Sequence, residues 1–332
     1  MPRTEIIATG FHVPDRVVTN EELTRWWETS DAWIRERTGI EQRHWVEGGV
    51  TSGSDLALVA TQRALEAAGM EADELDCIVY ATLSPDVFFP GGGVFLERKL
   101  GIDGIPALDV RNQCTGFLYG LSVADAWVRM GQYRRVLLVG AEVHSTGMDF
   151  SSAGRDLGVL FGDGAGAVIL GPTEDPARGI LSTHLHADGR FAEMLWCESD
   201  SSARSPRISR EDLDAGRQFP LMQGREVFKH AVTRMPETVR QALHANGLEA
   251  ADVDLLIAHQ ANLRINQMVA KQLGLREDQV YNNIERFGNT TAATIPIALD
   301  ECVRGGRLER GDVLVLTGFG SGFTWGSAVM RW

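Results

Sequence analysis

The sequence predicts an α/β protein made of two copies of one strand–helix unit. The first observation is a repeat. Ala64-Leu-Glu-Ala-Ala-Gly-Met-Glu-Ala-Asp-Glu-Leu-Asp76 aligns without a gap on Ala242-Leu-His-Ala-Asn-Gly-Leu-Glu-Ala-Ala-Asp-Val-Asp254. Each copy reads as a helix end, a glycine stop (Gly69, Gly247), an acidic turn and then a strand (Cys77–Thr82, Leu255–Gln260). The second observation is that the order continues. Arg111-Asn-Gln-Cys114 faces Arg286-Phe-Gly-Asn289, each followed by a helix start rich in small residues. Val136-Leu-Leu-Val139 faces Val313-Leu-Val-Leu316, and Gly166-Ala-Val168 faces Ser327-Ala-Val329. Chance likeness between two strand–helix units is the alternative, and four matches in one order argue against it. A repeat of this length is a duplication rather than a solenoid of short units. It divides the 332 residues into halves at 1–172 and 173–332.

Taken in order, the chain opens on MPRTEIIATG, which has no signal-peptide hydrophobic region. Helical spacing runs over Leu56–Ala68. The apolar run Ile105–Val110 reads as a strand, and the amphipathic pattern Phe117–Arg129 reads as a helix. Between them lies Arg111–Gly120, so Cys114 falls where a strand turns into a helix N-terminus. The glycine-rich stretches Gly162–Gly166 and Gly318–Gly322 are each followed by a strand pattern, Ala167–Leu170 and Ser327–Met330. A dinucleotide fingerprint needs a helix there, so that reading is rejected. Their glycines serve close backbone approach or present N–H groups to an anion. His184-x-His186 reads as one face of a strand rather than a metal site, because no cysteine or carboxylate pattern joins it. Glu198–Arg217 is polar and aperiodic, a surface loop or short helix beside the site. Val227–Ala245 and Leu263–Leu273 carry helical spacing.

Apolar content of 44% and charged content of 23% fit a soluble globular protein. The net charge of −13 argues against a general nucleic-acid binder. No stretch approaches the roughly 20 apolar residues of a membrane span. The four cysteines, Cys77, Cys114, Cys197 and Cys302, are far apart, which reads as free thiols in a reducing cytoplasm.

Three residues carry candidate chemistry. At a helix start, backbone N–H groups and the helix dipole favour an anion and lower a thiol pKa. By position alone Cys114 is either such a nucleophile or a small buried hydrophobe. His259 stands at a strand end, where α/β proteins collect functional groups. The repeat places Asn289 opposite Cys114. A cysteine with His and Asn fits acyl transfer, and it fits a cysteine protease equally well.

The residues carry a family resemblance nearly end to end. The motifs are Ser30-Asp-Ala-Trp-Ile-Arg-Glu-Arg-Thr-Gly-Ile40, Asn112-Gln-Cys-Thr-Gly-Phe-Leu-Tyr119 and Phe161-Gly-Asp-Gly-Ala-Gly166. Further on come His259-Gln-Ala-Asn-Leu-Arg-Ile265, Gly288-Asn-Thr-Thr-Ala-Ala-Thr-Ile-Pro296 and Gly318-Phe-Gly-Ser-Gly-Phe-Thr-Trp325. Together they resemble β-ketoacyl-acyl carrier protein synthase III, a condensing-enzyme family of the thiolase superfamily. The resemblance implies a duplicated thiolase-like α/β/α/β/α five-layer sandwich and a cytoplasmic homodimer. It implies a decarboxylative Claisen condensation of an acyl-CoA primer with malonyl-ACP that initiates fatty-acid synthesis. Cys114 would carry the acyl group, with His259 and Asn289 stabilising the enolate-like charge. Backbone N–H groups of Cys114 and Ser321 would form the oxyanion hole, although many relatives carry Gly or Ala where Ser321 stands.

Trp33, Arg37 and Arg155 match positions that hold the nucleotide end of coenzyme A. Phe89 and Phe161 match acyl-pocket positions, Phe89 by reaching across the dimer. Arg264 and Lys271 match the docking patch for acyl carrier protein. No metal and no cofactor is implied; the coenzyme A thioester is a substrate, and neither nucleic acid nor membrane insertion is expected. Three features depart from the family pattern. Arg225 replaces a common Asn, His144 stands where some relatives carry an apolar pocket residue, and 198–217 is long. They leave room for a specialised homologue that uses a longer or unusual acyl-CoA or a non-ACP acceptor. A degradative thiolase would need a second cysteine within Gly318–Gly326, and none is there. A non-catalytic partner subunit would commonly lack Cys114.

Overall fold

The computed structural model describes residues 2–47, 50–175 and 177–332. The first half opens with β1 (Arg3–His12) and a short ribbon of β2 (Val17–Thr19) and β3 (Gln42–His44), with α1 (Asn20–Leu23) and α2 (Asp31–Thr38) between its strands. There follow α3 (Gly53–Ala68), β4 (Cys77–Ala81), α4 (Gly92–Leu100), β5 (Ala107–Val110) and α5 (Gly116–Arg129). Then come β6 (Val136–Glu142), the one-turn α6 (Arg155–Gly158) and β7 (Gly164–Thr173). The second half begins with β8 (Gly179–Ala187). An excursion follows, holding β9 (Leu195–Trp196), α7 (Arg210–Asp214) and β10 (Leu221–Met222). The rest comprises α8 (Gly224–Ala245), β11 (Leu255–Ala258), α9 (Leu263–Leu273), β12 (Val280–Tyr281), α10 (Ile284–Phe287), α11 (Thr294–Arg304), β13 (Val313–Gly320) and β14 (Thr324–Arg331).

The two five-stranded sheets have one plan. The first runs β1-β7-β6-β4-β5 and the second β8-β14-β13-β11-β12. In each, the first two pairings are antiparallel and the last two parallel. Helices α5 and α11 lie between the sheets. Phe117, Leu118 and Leu121 of α5 join Ile295, Leu299 and Cys302 of α11 in one core that takes residues from both sheets. Outside, α3 and α4 cover the first sheet and α8 and α9 cover the second. The layers are therefore α/β/α/β/α, the five-layer thiolase-like sandwich. Every residue of β4 and β6 is buried, because helices cover both faces. That is why these strands read as continuous apolar runs.

Local chemistry sets the element ends. Ser52 and Asp55 close a capping box at the start of α3. Gly69 and Gly247, the two glycine stops read from the repeat, have φ of 63° and 66°, which other residues rarely adopt.

One alignment in the repeat is corrected. Single 3₁₀ turns, Gln113–Thr115 and Thr291–Ala293, lead into α5 and α11. Gln113 and Thr291 are also the two non-glycine residues with positive φ among the described residues, 46° and 50°. The spacing that relates residues 64–76 to 242–254 therefore holds through the turn, and Ala292 is the counterpart of Cys114. The pairing of Arg111–Cys114 with Arg286–Asn289 was out of register, because one-turn α10 precedes the second turn and has no counterpart in the first half.

Candidate active site

Cys114 sits in the turn between β5 and α5, as the sequence indicated, and is only 8% exposed. The end of β13 passes against it. A Cβ on Gly320 would lie 2.8 Å from the Cys114 Cβ, so only glycine permits this approach. The thiol departs from expectation. Burial pushes it up to about 12, and the carboxyl of Glu142 adds to that. The backbone N–H groups of Cys114 and Ser321 act the other way without prevailing. A helix start favours a thiolate, but a closed site with no cation beside the sulfur favours the neutral thiol more.

His259 follows β11 and is 3% exposed. Burial lowers its pKa to about 3, so the ring is neutral at working pH. Its Nδ1 lies 2.7 Å from Thr294 Oγ1, and its Nε2 has no partner. The Thr294 hydroxyl has one proton and two acceptors in reach, Nδ1 and the Thr291 carbonyl at 3.0 Å. When it donates to Nδ1, the ring proton sits on Nε2, and the free nitrogen becomes a donor. Asn289 is 5% exposed. Its backbone is clamped to Leu160 and Gly162, which ties the second half to the first. Its Oδ1 accepts from Thr291 N–H at 2.9 Å, which leaves the amide NH₂ to face the cavity.

Cys114, His259 and Asn289 line one cavity of about 630 Å³. The same cavity includes Trp33, Arg37, Arg155 and Phe161, so seven residues singled out in the sequence meet there. The Arg37 and Arg155 guanidinium groups lie 4.5 and 5.0 Å from the Trp33 ring centre. Arg225, at the start of α8, lines this cavity too, with no ion pair among the described residues. A second cavity of about 720 Å³ also reaches Cys114 and holds Ser321, His144 and Thr291. Phe161 borders both cavities.

Three expected residues lie elsewhere. Phe89 is 78% exposed and lines neither cavity. Arg264 and Lys271 are exposed on α9, about two turns apart on one face. Arg264 lies over Phe228, which lines the first cavity, while Lys271 is at the far end of the helix. His184 and His186 share a strand, bonded to Ser182 and Gln241, and no metal cluster occurs among the described residues.

Several site residues had no signal in the sequence. Thr294 is one. Glu142 is another: its carboxyl accepts from Thr82 and Ser84 hydroxyls and from the N–H groups of Leu83, Ser84 and Ala292. It thereby ties the end of β6 to the turn before α11. The hydroxyl of Ser321 donates to the Leu195 carbonyl, pinning the excursion to the turn between β13 and β14. Within Gly162–Gly166, Asp163 holds the N–H groups of Val46, His144 and Ser145, so this stretch is a structural brace.

A sandwich with a buried cysteine, a neutral histidine and an asparagine on one cavity defines a thiolase-fold enzyme of the acyl-transfer type. Residues 108–189 match the family described as 3-Oxoacyl-[acyl-carrier-protein (ACP)] synthase III, and residues 243–332 match its C-terminal family. The chain is 48% identical to β-ketoacyl-[acyl-carrier-protein] synthase III of Xanthomonas campestris pv. campestris, over 99% of this chain and 98% of that protein. It is 46% identical to the protein of that name from Alkalilimnicola ehrlichii, over the full length of both. The crystal structure of 3-oxoacyl-[acyl-carrier-protein] synthase III from Aquifex aeolicus VF5 superposes with a TM-score of 0.91 at 37% identity, covering 99% of this chain and 100% of that one. The chain belongs to the β-ketoacyl-acyl carrier protein synthase III family.

Proposed function

We infer that the protein condenses an acyl-CoA primer with malonyl-ACP and so initiates fatty-acid synthesis. The observation that carries this is the meeting of Cys114, His259 and Asn289 on one cavity that also holds Trp33, Arg37 and Arg155. In the first half-reaction the Cys114 sulfur attacks the thioester carbonyl. Its proton leaves with the coenzyme A thiol, and the acyl group stays on Cys114. The N–H groups of Cys114 and Ser321 hold the oxygen that becomes negative. In the second, malonyl-ACP loses carbon dioxide, and the electrons of the broken C–C bond form an enolate. Its thioester oxygen takes hydrogen bonds from His259 Nε2–H and the Asn289 amide. The enolate carbon attacks the acyl carbonyl, Cys114 leaves and regains a proton, and a β-ketoacyl-ACP departs. Decarboxylation supplies the carbanion, so the steps call on no metal or cofactor.

The nucleotide end of coenzyme A lies against Trp33, Arg37 and Arg155, where an aromatic face and two cations suit adenine and phosphate. Arg264 and Lys271 offer positive charge to an acidic carrier protein on a molecule of net charge −13. The working form is a cytoplasmic homodimer. Strand β5 is a free sheet edge carrying exposed Leu108, and Val87, Phe88, Phe89 and Val94 in the preceding loop and α4 are exposed as well. A second copy covers this face and places Phe89 against its acyl pocket. No helix among the described residues is long and apolar enough to cross a membrane.

Purified protein with an acyl-CoA and malonyl-ACP should release carbon dioxide and form β-ketoacyl-ACP. Cys114→Ala should cut that rate by at least about a thousandfold. Absence of product from the wild type, or full turnover in the variant, would refute the reading.

A further inference from the structure

The steps above leave the acyl group and, from a second copy, Phe89 to fill the second cavity. It begins at Cys114 and shares Cys114, Phe161 and Leu195 with the first. The coenzyme A end of a bound thioester fills the first cavity, so the acyl group bound to the sulfur is the part left for the second. At about 30 Å³ per water-sized group, 720 Å³ is room for roughly twenty-four such groups. An acetyl group adds one methyl beyond the carbonyl, and together with the Phe89 side chain of a second copy it takes up roughly a third of that space.

The larger part of this cavity's lining is apolar. Leu83, Met148, Leu157, Phe161, Trp196 and Phe219 line it and are each half-buried. Of its charged residues, Arg111 and Asp214 are exposed at the rim, while half-buried Asp149 accepts from the Ser151 N–H at 2.8 Å. His144 is less polar in effect than its identity implies. Its Nε2 is bonded to Thr291 Oγ1 at 2.5 Å, burial lowers its pKa to about 4, and its ring lies against Phe161 at 4.6 Å.

One wall comes from the excursion Leu195–Leu221, which contains the 198–217 stretch that left the acyl group open in the sequence. It keeps its shape through a charge network of its own. Buried Asp212 pairs with Arg204 at 2.8 Å and Arg217 at 2.7 Å, and Glu198 pairs with Arg204 as well. Ser209 caps α7 on the same carboxylate. Ser321 and the β9/β10 ribbon anchor its ends.

We propose that the primer is an acyl-CoA longer than acetyl, whose chain extends from Cys114 into this cavity against the 195–221 wall. The proposal rests on the reading of Cys114 as acyl acceptor and specifies its substrate. Burial of each added methylene strengthens binding by about fourfold until the cavity is filled.

The test is the rate of Cys114 acylation by the full-length protein, read by intact mass with acetyl-, butyryl-, hexanoyl-, octanoyl- and decanoyl-CoA. We expect kcat/KM to rise with chain length and, at about fourfold for each of the six added methylenes, to exceed the acetyl value by on the order of a thousandfold at octanoyl. Acetyl-CoA reacting as fast as octanoyl-CoA overturns the proposal while leaving the acyl-cysteine reading intact. No adduct at any length overturns that reading, and the proposal with it. Ala215→Trp, a change at an exposed position on the cavity wall, should lower the octanoyl-to-acetyl ratio at least tenfold. An unchanged ratio would remove the wall from the account.

Discussion

Cys114 keeps its proton in the resting protein. Its pKa of about 12 and the neutral His259 describe a site without fixed charge at the sulfur. Thiolate character must then develop as the substrate carbonyl arrives and its oxygen enters the pair of N–H groups. The same neutrality makes the tautomer of His259 decisive, because only an Nε2–H can donate to an enolate oxygen. Thr294 selects that tautomer when its hydroxyl donates to Nδ1 rather than to the Thr291 carbonyl, and is a positioning residue. Thr294→Ala should slow the malonyl-dependent half-reaction by about a hundredfold while Cys114 acylation stays within a few-fold. Thr294→Ser should restore it. Single-turnover measurement of each half-reaction checks this, and an equal loss in both would reduce Thr294 to packing. Cys114, His259 and Asn289 were legible in the sequence because motifs flank each one. Thr294 was not, because its contact with His259 spans 35 positions and arises only when α11 packs beside the end of β11.

Among the elements, the turn before α11 depends on a buried acid. Glu142 is fully buried and receives five donors from two different loops. Burial still outweighs those bonds and raises its pKa from 4.5 to about 7. The folded protein therefore holds this proton more tightly than the unfolded chain. Its contribution to stability is full below about pH 4.5 and is lost as pH rises through about 7. Glu142→Gln cannot titrate. The stability of the wild type relative to this variant should fall by roughly 3 kcal/mol between pH 4.5 and pH 8. Urea denaturation at the two values measures it, and a difference that rises with pH would contradict the assignment. The helices α3 and α9 and strands such as β4 and β11 were readable from the pattern of apolar residues, since packing and sequence pattern agree there. The register of the second catalytic turn was not. Arg111 and Arg286 invited an alignment that positive φ at Gln113 and Thr291 corrects, and backbone dihedrals leave little trace in residue type.

At the scale of the molecule, duplication creates the site. Each half brings a central helix to the middle layer. Cys114 precedes α5 and Asn289 precedes α11, so neither half holds the site alone. The free edge at β5 is the surface proposed to meet a second copy. Leu108→Asp, which places a charge on that edge, should convert a dimer to a monomer in sedimentation velocity. A variant that stays dimeric would move the interface elsewhere. The size of the second cavity depends on how the 195–221 segment folds back and was beyond a linear reading.

The acyl-cysteine is the central claim, and it is tested most directly by a two-step mass measurement. The protein is first incubated with an acyl-CoA alone and freed of excess, then chased with malonyl-ACP. The mass should rise by one acyl group on Cys114, then return to that of the free protein as one carbon dioxide and one β-ketoacyl-ACP appear per acyl group. An adduct that forms on Cys114→Ala, or one on the wild type that survives the chase, would contradict it.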